Sequence, residues 1–387
     1  MNRRDFLNAA AAAGAAVGIT SAPMTAAASE AQPSAPRRQA RLDPNDRSTG
    51  RDALQVQRGT LVVEGVGNGI GENYHKLLQQ GGVNCRVNGS PGTLEGYSGL
   101  LEWLDRHKSE IALAKSVEDI RRLHSEGKIS QVISHQHADF LGASFNQPIG
   151  SPIAPLRIHH EIGLRMLGLC YNVVNIFGGG CLESHVGLTR AGQRLVEQIH
   201  TLRIVLDVGG HTGEQTSLDA IAMSPGVPIV CSHTNIGALN DNPRCISDRL
   251  IDEIAGTGGV IGITAVSDFM GRSRKDARLA KSPQVGLDRY LDQFDYLKKR
   301  VGPDHISLGS DNVEVAMVGP MAGGINREVM TPDLIGEEPW LYVDGFDSIA
   351  KLPNVTRGLI QRGWSNAEIH KLLGENLLRV YAKVWGA

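Results

Sequence analysis

Eight short apolar runs, separated by segments of helical periodicity, constrain the fold of this chain more than any other feature. The runs are LVVEG, GGVNCRV, QVISH, MLGLCYN, RIVLDV, PIVCSH, GVIGIT and HISLGSD, with EIALAKS as an alternative to the second. Amphipathic segments such as GLTRAGQRLVEQIHTL and LDRYLDQFDYLKKRVG stand between them. Strands that are apolar throughout are typical of parallel sheets covered by helices. Eight strand–helix units therefore predict an α/β chain folded as a (β/α)8 TIM barrel.

The chain of 387 residues suits one barrel domain, which we expect over residues 58–387. Residues 1–28 carry Arg3 and Arg4 before an Ala- and Gly-rich apolar segment and a small-residue end, which predicts a twin-arginine-type signal peptide and export to the periplasm or exterior. An ordinary secretion signal is the alternative. Residues 29–57 are rich in Pro, Ala and Arg and predict a disordered linker. The apolar segment is too weak for a stable membrane span.

Charge is nearly balanced, with 39 basic and 41 acidic residues, and no basic run is long enough to indicate a nucleic-acid partner. Five cysteines without CxxC spacing leave at least one free thiol, and a core of this size needs no disulfides. Composition leaves a homodimer open.

Three of the apolar runs end in a residue that can bind a metal or move a proton: His211, His233 and Asp311. The carboxyl ends of barrel strands are where barrel enzymes place their active sites. Neutral imidazole suits zinc, and Asp311 is placed to coordinate the ion or to take a proton from a bound water whose pKa falls to about 7. The alternatives are hydrogen-bonded core histidines and a helix N-cap aspartate.

Four further side chains accompany these three. His135 and His137 follow the third strand at i and i+2, so both could face one metal, or both could line the rim. Arg244 follows the His233 strand and suits bidentate capture of a substrate carboxylate, with a surface salt bridge as the alternative. Tyr171 ends the fourth strand and could donate a hydrogen bond to a carbonyl, or simply pack.

The segments LCYNVVNIFGGGCLE, DVGGHTGEQTSLDAI, PIVCSHTNIGALNDNPR and HISLGSD resemble the renal or membrane dipeptidases, zinc-dependent barrel enzymes of the amidohydrolase type. The resemblance extends over residues 61–380. It implies a two-zinc site that hydrolyses dipeptides.

By the same resemblance, His211 and His233 match zinc ligands and Asp311 matches the acid that handles the proton. Arg244 matches the arginine that grips the substrate carboxylate, and Tyr171 stands near the substrate.

The chain departs from the family where the other ligands belong. The family's Asp-x-His-x-Asp pattern on the first strand reads Glu64, Gly65, Val66, Gly67, Asn68 here, and its bridging Glu falls on or beside Gln136. Two divalent ions about 3.5 Å apart repel by about 19 kcal/mol at an effective dielectric of about 20, and a bridging carboxylate normally offsets this. We therefore expect one zinc ion rather than two, with a metal-free chain as the alternative.

These observations predict an exported, metal-dependent, dipeptidase-like hydrolase that cleaves an amide bond of a dipeptide or similar small carboxylate-bearing substrate, with His211, His233 and His137 as metal ligands. Two alternatives stay open. One is a catalytically impaired homologue that binds such ligands through Arg244. The other is a single-metal amidohydrolase acting on another amide or a lactam, with His137 and His135 replacing the missing first-strand ligands.

Overall fold

The computed structural model describes most of the chain beyond residue 50. The described residues are 51–67, 73–89, 92–144, 151, 153–276, 278–312, 326–337 and 341–386. The predicted signal peptide, most of the predicted linker and Asn68 lie outside them. No helix among the described residues is both long and apolar enough to cross a membrane.

Parallel strands build the centre of the molecule. They are β1 Val63–Glu64, β2 Cys85–Gly89, β3 Ile111–Leu113, β4 Ile129–His135, β5 Leu164–Gly168, β6 Val205–Asp207, β7 Val230–Ile236, β8 Cys245–Ile246, β9 Val260–Ile263 and β10 Ile306–Leu308. Eight of them follow the order β1-β2-β4-β5-β6-β7-β9-β10, while β3 pairs with β4 and β8 with β7. The run EIALAKS thus supplies the accessory strand β3, and GGVNCRV supplies β2.

The two ends of this sheet meet. The amide of Gly65 donates to the carbonyl of Leu308 at 3.1 Å, and the amide of Asp311 donates to the carbonyl of Val66 at 2.9 Å. These bonds join the segment after β1 to the end of β10, so the eight strands form a nearly closed barrel. The predicted (β/α)8 fold is confirmed.

Helices cover the barrel, and serine or threonine caps begin several of them. Each cap side chain accepts a hydrogen bond from a backbone N–H of the first turn, which has no partner within the helix. The capping residues are Thr93, Ser116, Thr189, Ser247 and Ser365. The helices are α1 Ala53–Arg58, α2 Tyr74–Gly81, α3 Leu94–Arg106, α4 Val117–Ser125, α5 Leu156–Ile162, α6 Arg190–Thr201, α7 Glu214–Ala222, α8 Asp248–Gly256, α9 Ser267–Gly271, α10 Leu287–Val301, α11 Leu352–Gln361, α12 Asn366–His370 and α13 Asn376–Trp385, with a π-helical turn, Lys371–Glu375, joining the last two.

The last helix packs across the amino-terminal ends of the strands. Leu377, Tyr381 and Trp385 of α13 belong to one apolar cluster with the residues that begin several strands, among them Val63 and Val230. The amino-terminal end is thereby filled with apolar side chains, which leaves the carboxyl end for polar residues.

The folded part begins earlier than residue 58, where sequence analysis placed it. Asp52 caps α1, and Ala53, Val56 and Gln57 are buried. His370 Nε2 lies 2.9 Å from the carbonyl of Val56 and ties α1 to α12. A six-residue helix is too short to display an apolar period, so its residues resembled the linker before them.

Candidate active site

Two histidines meet at the carboxyl end of the barrel. His233 lies within β7, and His211 lies in the loop that follows β6. Both side chains are buried, and their ring centroids are 4.9 Å apart. Because β6 and β7 are neighbours in the sheet, the structure brings together the two imidazoles at the ends of adjacent strands.

A buried relay orients His233. The Ser232 hydroxyl donates to Asp207 Oδ2 at 2.5 Å, and Oδ1 of the same carboxylate accepts the amides of Gly209 and Ser232. Since that hydroxyl hydrogen is committed to Asp207, Ser232 Oγ accepts the Nδ1–H of His233 at 2.7 Å. His233 Nε2 then carries a lone pair, and this buried atom has no hydrogen-bond partner. An orphaned lone pair of this kind fits a metal ion.

Asn172 orients His211 in the same sense. Its side-chain nitrogen donates to the carbonyl of Val329 at 3.0 Å and to Met330 Sδ, so its oxygen faces His211 Nδ1 at 2.6 Å. His211 therefore holds its proton on Nδ1 and leaves a lone pair on Nε2, to which Arg244 Nη2 donates at 3.4 Å.

Both imidazoles are neutral at neutral pH. Burial lowers the pKa of His211 well below its ordinary value, and the positive charge of Arg244 lowers it further. The pKa of His233 is lowered by the same two causes in the same order. A metal ligand must be deprotonated at the coordinating nitrogen, and both rings meet this condition without rearrangement.

Arg244 is buried at the mouth of the barrel, with 1% of its surface exposed. Its guanidinium lies over the ring of Phe269 at 4.9 Å, and its Nε and Nη1 have no hydrogen-bond partner. It makes no ion pair with any acid in the part of the chain that the structure describes. A Cβ on Gly210 would lie 2.0 Å from Arg244 Nη1, so glycine at this position makes room for the guanidinium. The surface salt bridge considered from sequence is therefore wrong, and a buried unpaired cation calls for an anionic ligand.

Tyr171 and Asp311 complete the mouth. The Tyr171 ring stacks on His211 at 3.8 Å. Burial raises the pKa of its hydroxyl to about 12, and the nearby Asp311 carboxylate contributes. Asp311 follows β10 with a positive φ of 54°, held by its amide bond to Val66 and by the Tyr342 hydroxyl, which donates to its carbonyl at 3.2 Å.

The structure does not join His137 to the histidine pair in one group of ligand atoms within 4.8 Å of one another. Its ring lies 5.5 Å from Tyr171, which in turn stacks on His211, and its Nδ1 lies 2.8 Å from Asp139 Oδ2. His135 is 4.6 Å from His137, so these two rings do meet each other. The expected metal set of His211, His233 and His137 does not form among the described residues, where no group of three ligand atoms within 4.8 Å of one another includes them and His137 Nδ1 meets Asp139 instead.

Glu64, on the first strand, ties the barrel closed. Its Oε1 accepts the amides of Ser310 at 2.8 Å and Val66 at 3.2 Å, across the junction of β10 and β1. Burial raises the pKa of this carboxyl to about 8, so it holds a proton at neutral pH. A neutral, hydrogen-bonded carboxyl is a poor metal ligand.

The described residues at the mouth could hold a metal ion through two imidazoles. His211 and His233 offer two neutral imidazoles. Val66 supplies no ligand, and the amide of Gln136 supplies no bridging charge. Among the described residues, no group of three His, Cys, Asp or Glu ligand atoms within 4.8 Å of one another lies at this mouth. Solvent or substrate would have to complete the coordination of an ion held by the histidine pair.

Sequence analysis assigned no role to Asp207, Ser232 or Asn172. The available signals were weak: Asp207 is the one acid in the RIVLDV run, Ser232 directly precedes His233, and Asn172 is a residue type that tolerates its positive φ of 61°. None of these shows which ring nitrogen the side chain contacts.

Comparisons with known proteins agree with this architecture. A family model described as membrane dipeptidase, peptidase family M19, matches residues 89–337 and 335–386. Dipeptidase tcpJ of Claviceps purpurea (strain 20.1) is 23% identical over 284 residues, which cover 73% of this chain and 57% of that protein. The chain thus spans little more than half the length of that relative.

Two solved structures show the same fold. An amidohydrolase from Pseudomonas aeruginosa superposes with a TM-score of 0.73 at 23% identity, over 87% of this chain and 100% of that one. A metallopeptidase from Rhodobacter sphaeroides, liganded with a phosphinate mimic of the dipeptide L-Ala-D-Ala, superposes with a TM-score of 0.65 at 20% identity, over 84% of this chain and 100% of that one. Because the family model covers well over half of the sequence, the chain belongs to the membrane dipeptidase family, peptidase family M19.

Proposed function

We propose that this protein is a metal-dependent hydrolase that cleaves the amide bond of a dipeptide or a similar small substrate with a free carboxylate. The observation that carries the proposal is the buried pair of neutral imidazoles beside an unpaired guanidinium. His233 Nε2 and two nitrogens of Arg244 are buried without partners. Leaving such groups unsatisfied costs about 1–3 kcal/mol each, and more where they are charged. A ligand set of one cation and one carboxylate would satisfy them all.

Arg244 binds the substrate in this proposal. Its Nε and Nη1 have no partner, and Nη2, which shares an edge with each of them, would complete a bidentate pair for a carboxylate once a metal occupies His211 Nε2. The remaining nitrogen, Nη2, donates to His211 Nε2, which is the atom that a metal would use. In the metal-loaded protein the guanidinium would therefore direct all its donors to the substrate.

Tyr171 and Asp311 divide the remaining work. The hydroxyl of Tyr171 stays protonated at neutral pH, because burial raises its pKa to about 12, so it can donate to the amide oxygen as negative charge develops there. Asp311 accepts a proton from the attacking water and delivers it to the leaving amine. A zinc ion held by His211 and His233 would lower the pKa of a water to about 7 and polarise the amide carbonyl.

Dipeptide turnover and metal content of the purified protein test this function, beginning with L-Ala-D-Ala. We expect Asp311→Asn to lower kcat by about 10²–10⁴ while metal content stays unchanged. Asparagine tolerates the positive φ of residue 311, so this variant removes the charge without straining the backbone. Asp347→Asn is the matched control, since that carboxylate pairs with Lys351 on the surface. Equal turnover in both variants would refute the role of Asp311.

A second candidate is a binding protein without turnover. The missing first-strand ligand at Val66 favours it, while the unpaired Arg244 is compatible with either function. Calorimetry with a dipeptide decides between them: the binding protein predicts binding without hydrolysis, lost in Arg244→Gln and retained in Arg274→Gln. Arg274 is the control because it is half-exposed and pairs with Asp241.

The substrate would be met outside the cytoplasm. The twin arginines and the apolar segment of residues 1–28 support export through a twin-arginine-type signal, with residues 29–57 as a linker. Replacing Arg3 and Arg4 by Lys should retain the protein in the cytoplasm, which fractionation of expressing cells would show. Unchanged export of that variant would contradict the proposal.

A further inference from the structure

Three side chains that can ligate a metal converge on residues other than those of the mouth. His75 is the second residue of α2, His107 follows the last residue of α3, and Glu110 directly precedes β3. Each offers one ligand atom, and these atoms all lie within 4.8 Å of one another. No other group of three His, Cys, Asp or Glu within the described ranges meets this condition.

The distances in this cluster suit a common ligand. His75 Nε2 lies 2.8 Å from Glu110 Oε2, and His107 Nδ1 lies 3.9 Å from the same oxygen. The two rings are 4.6 Å apart between centroids. With bonds of about 2.0–2.2 Å, the ligand atoms of a tetrahedral zinc ion stand about 3.3–3.5 Å apart. The observed distances bracket this value, so small side-chain rotations would complete the geometry.

His75 is the second, independent sign of a ligand. Only 1% of it is exposed, and neither of its ring nitrogens makes a hydrogen bond. Its Nε2 lies in contact with Glu110 Oε2 at 2.8 Å, so the imidazole and the carboxylate already meet at one point of the cluster. A buried imidazole left in this state costs about 1–3 kcal/mol.

We propose that His75, His107 and Glu110 form a binding site for one divalent transition-metal ion, with zinc as the preferred ion. Two imidazoles and one carboxylate are a recognised zinc donor set with a fourth position open to water. His107 and Glu110 are partly exposed, which gives solvent and metal access to the site. The ion would fasten α2 and α3 to the segment that enters β3.

Trp103 provides a local reporter. Its ring lies 4.9 Å from that of His107 and 6.1 Å from that of His75. A Cu²⁺ ion bound by these ligands would quench the fluorescence of a tryptophan this close. We expect Cu²⁺ to quench part of the tryptophan fluorescence of the full-length, chelator-treated protein. The Trp103→Phe variant should lack this quenched part of the fluorescence.

Equilibrium dialysis with Zn²⁺ measures the site directly. We expect His107→Gln and Glu110→Gln to bind one zinc ion fewer per chain than the wild type, or to bind it at least about tenfold more weakly, since even outer contacts of a metal site change affinity by about 10–100-fold. Both residues are partly exposed, so both variants should fold. His124→Gln and Glu118→Gln are the matched controls, because they remove one exposed side chain each from α4. The mouth is intact in all four proteins, so the difference isolates this site.

Two results would overturn the proposal. One is equal zinc binding by His107→Gln, Glu110→Gln and the two controls. The other is Cu²⁺ quenching in Glu110→Gln that matches the wild type. Either would leave His75 and Glu110 as an ordinary contact pair.

Discussion

The relay from Asp207 through Ser232 to His233 makes Ser232→Ala an informative substitution. The change removes a 2.5 Å bond to a buried carboxylate and the acceptor of His233 Nδ1–H in one step. A hydrogen bond to a charged group contributes about 1.5–3 kcal/mol, and the orphaned imidazole N–H adds about 1–3 kcal/mol. We therefore expect the free energy of unfolding to fall by about 3–5 kcal/mol, after some relaxation around the site.

The same substitution should weaken metal binding. Without its acceptor, His233 is free to move its proton to Nε2, which removes the lone pair that a metal needs. Loss of an outer contact of this kind costs about 10–100-fold in affinity. Urea unfolding of the metal-free protein measures the first effect, and competition between the protein and a chromophoric zinc chelator measures the second.

Ser307→Ala is the matched control. Ser307 lies on β10, is equally buried, and its hydroxyl has no hydrogen-bond partner. Its replacement should leave zinc affinity unchanged and cost little stability. If Ser232→Ala and Ser307→Ala have the same zinc affinity, the relay does not orient His233 and the reasoning fails.

Three further predictions concern the same barrel mouth. Gly210→Ala should displace the guanidinium of Arg244, because the new Cβ would lie 2.0 Å from Nη1. The substitution should lower the free energy of unfolding by about 1–3 kcal/mol and weaken dipeptide binding. Gly256→Ala, with no atom near its Cβ, should do neither, as urea unfolding and calorimetry would show. Folding lowers the pKa values of His211 and His233, so the unfolded chain binds more protons below about pH 6.5. The stability of the metal-free protein should therefore fall as the pH falls from 7 to 5. A flat stability profile over this range would contradict the prediction. Folding raises the pKa of Glu64 from 4.5 to about 8, so the wild type loses stability as pH rises through this range. Glu64→Gln has no carboxyl to ionise and keeps its stability. The difference in free energy of unfolding between the two proteins should therefore shift by about 3–4 kcal/mol in favour of Glu64→Gln between about pH 5 and 8. Parallel stability profiles for the two proteins would show that Glu64 ionises normally.

The barrel could be predicted from local pattern alone. The run QVISH lies in β4 and PIVCSH in β7, both almost wholly buried, because a parallel strand is covered on both faces and every residue must be apolar or paired. The same logic located His211 and His233, since strand ends of one sheet face the same side of a barrel. Short elements escaped this reasoning: β3, with three residues, left its run ambiguous, and α1 was hidden in the linker.

The roles of single nitrogen and oxygen atoms needed the tertiary structure. Asn172 and His211 are 39 positions apart, and Ser232 and Asp207 are 25, so only the closed barrel shows that they touch. Likewise, the stacking of Tyr171 on His211 follows from the path of the loop after β5, which has no periodic signature. The sequence by itself determined the strand and helix pattern and which residue types stand at the strand ends, because these follow from local apolar periodicity. The tertiary structure alone decided which of those side chains share a proton, lack a partner or face an ion, because those contacts join segments that are remote in the chain.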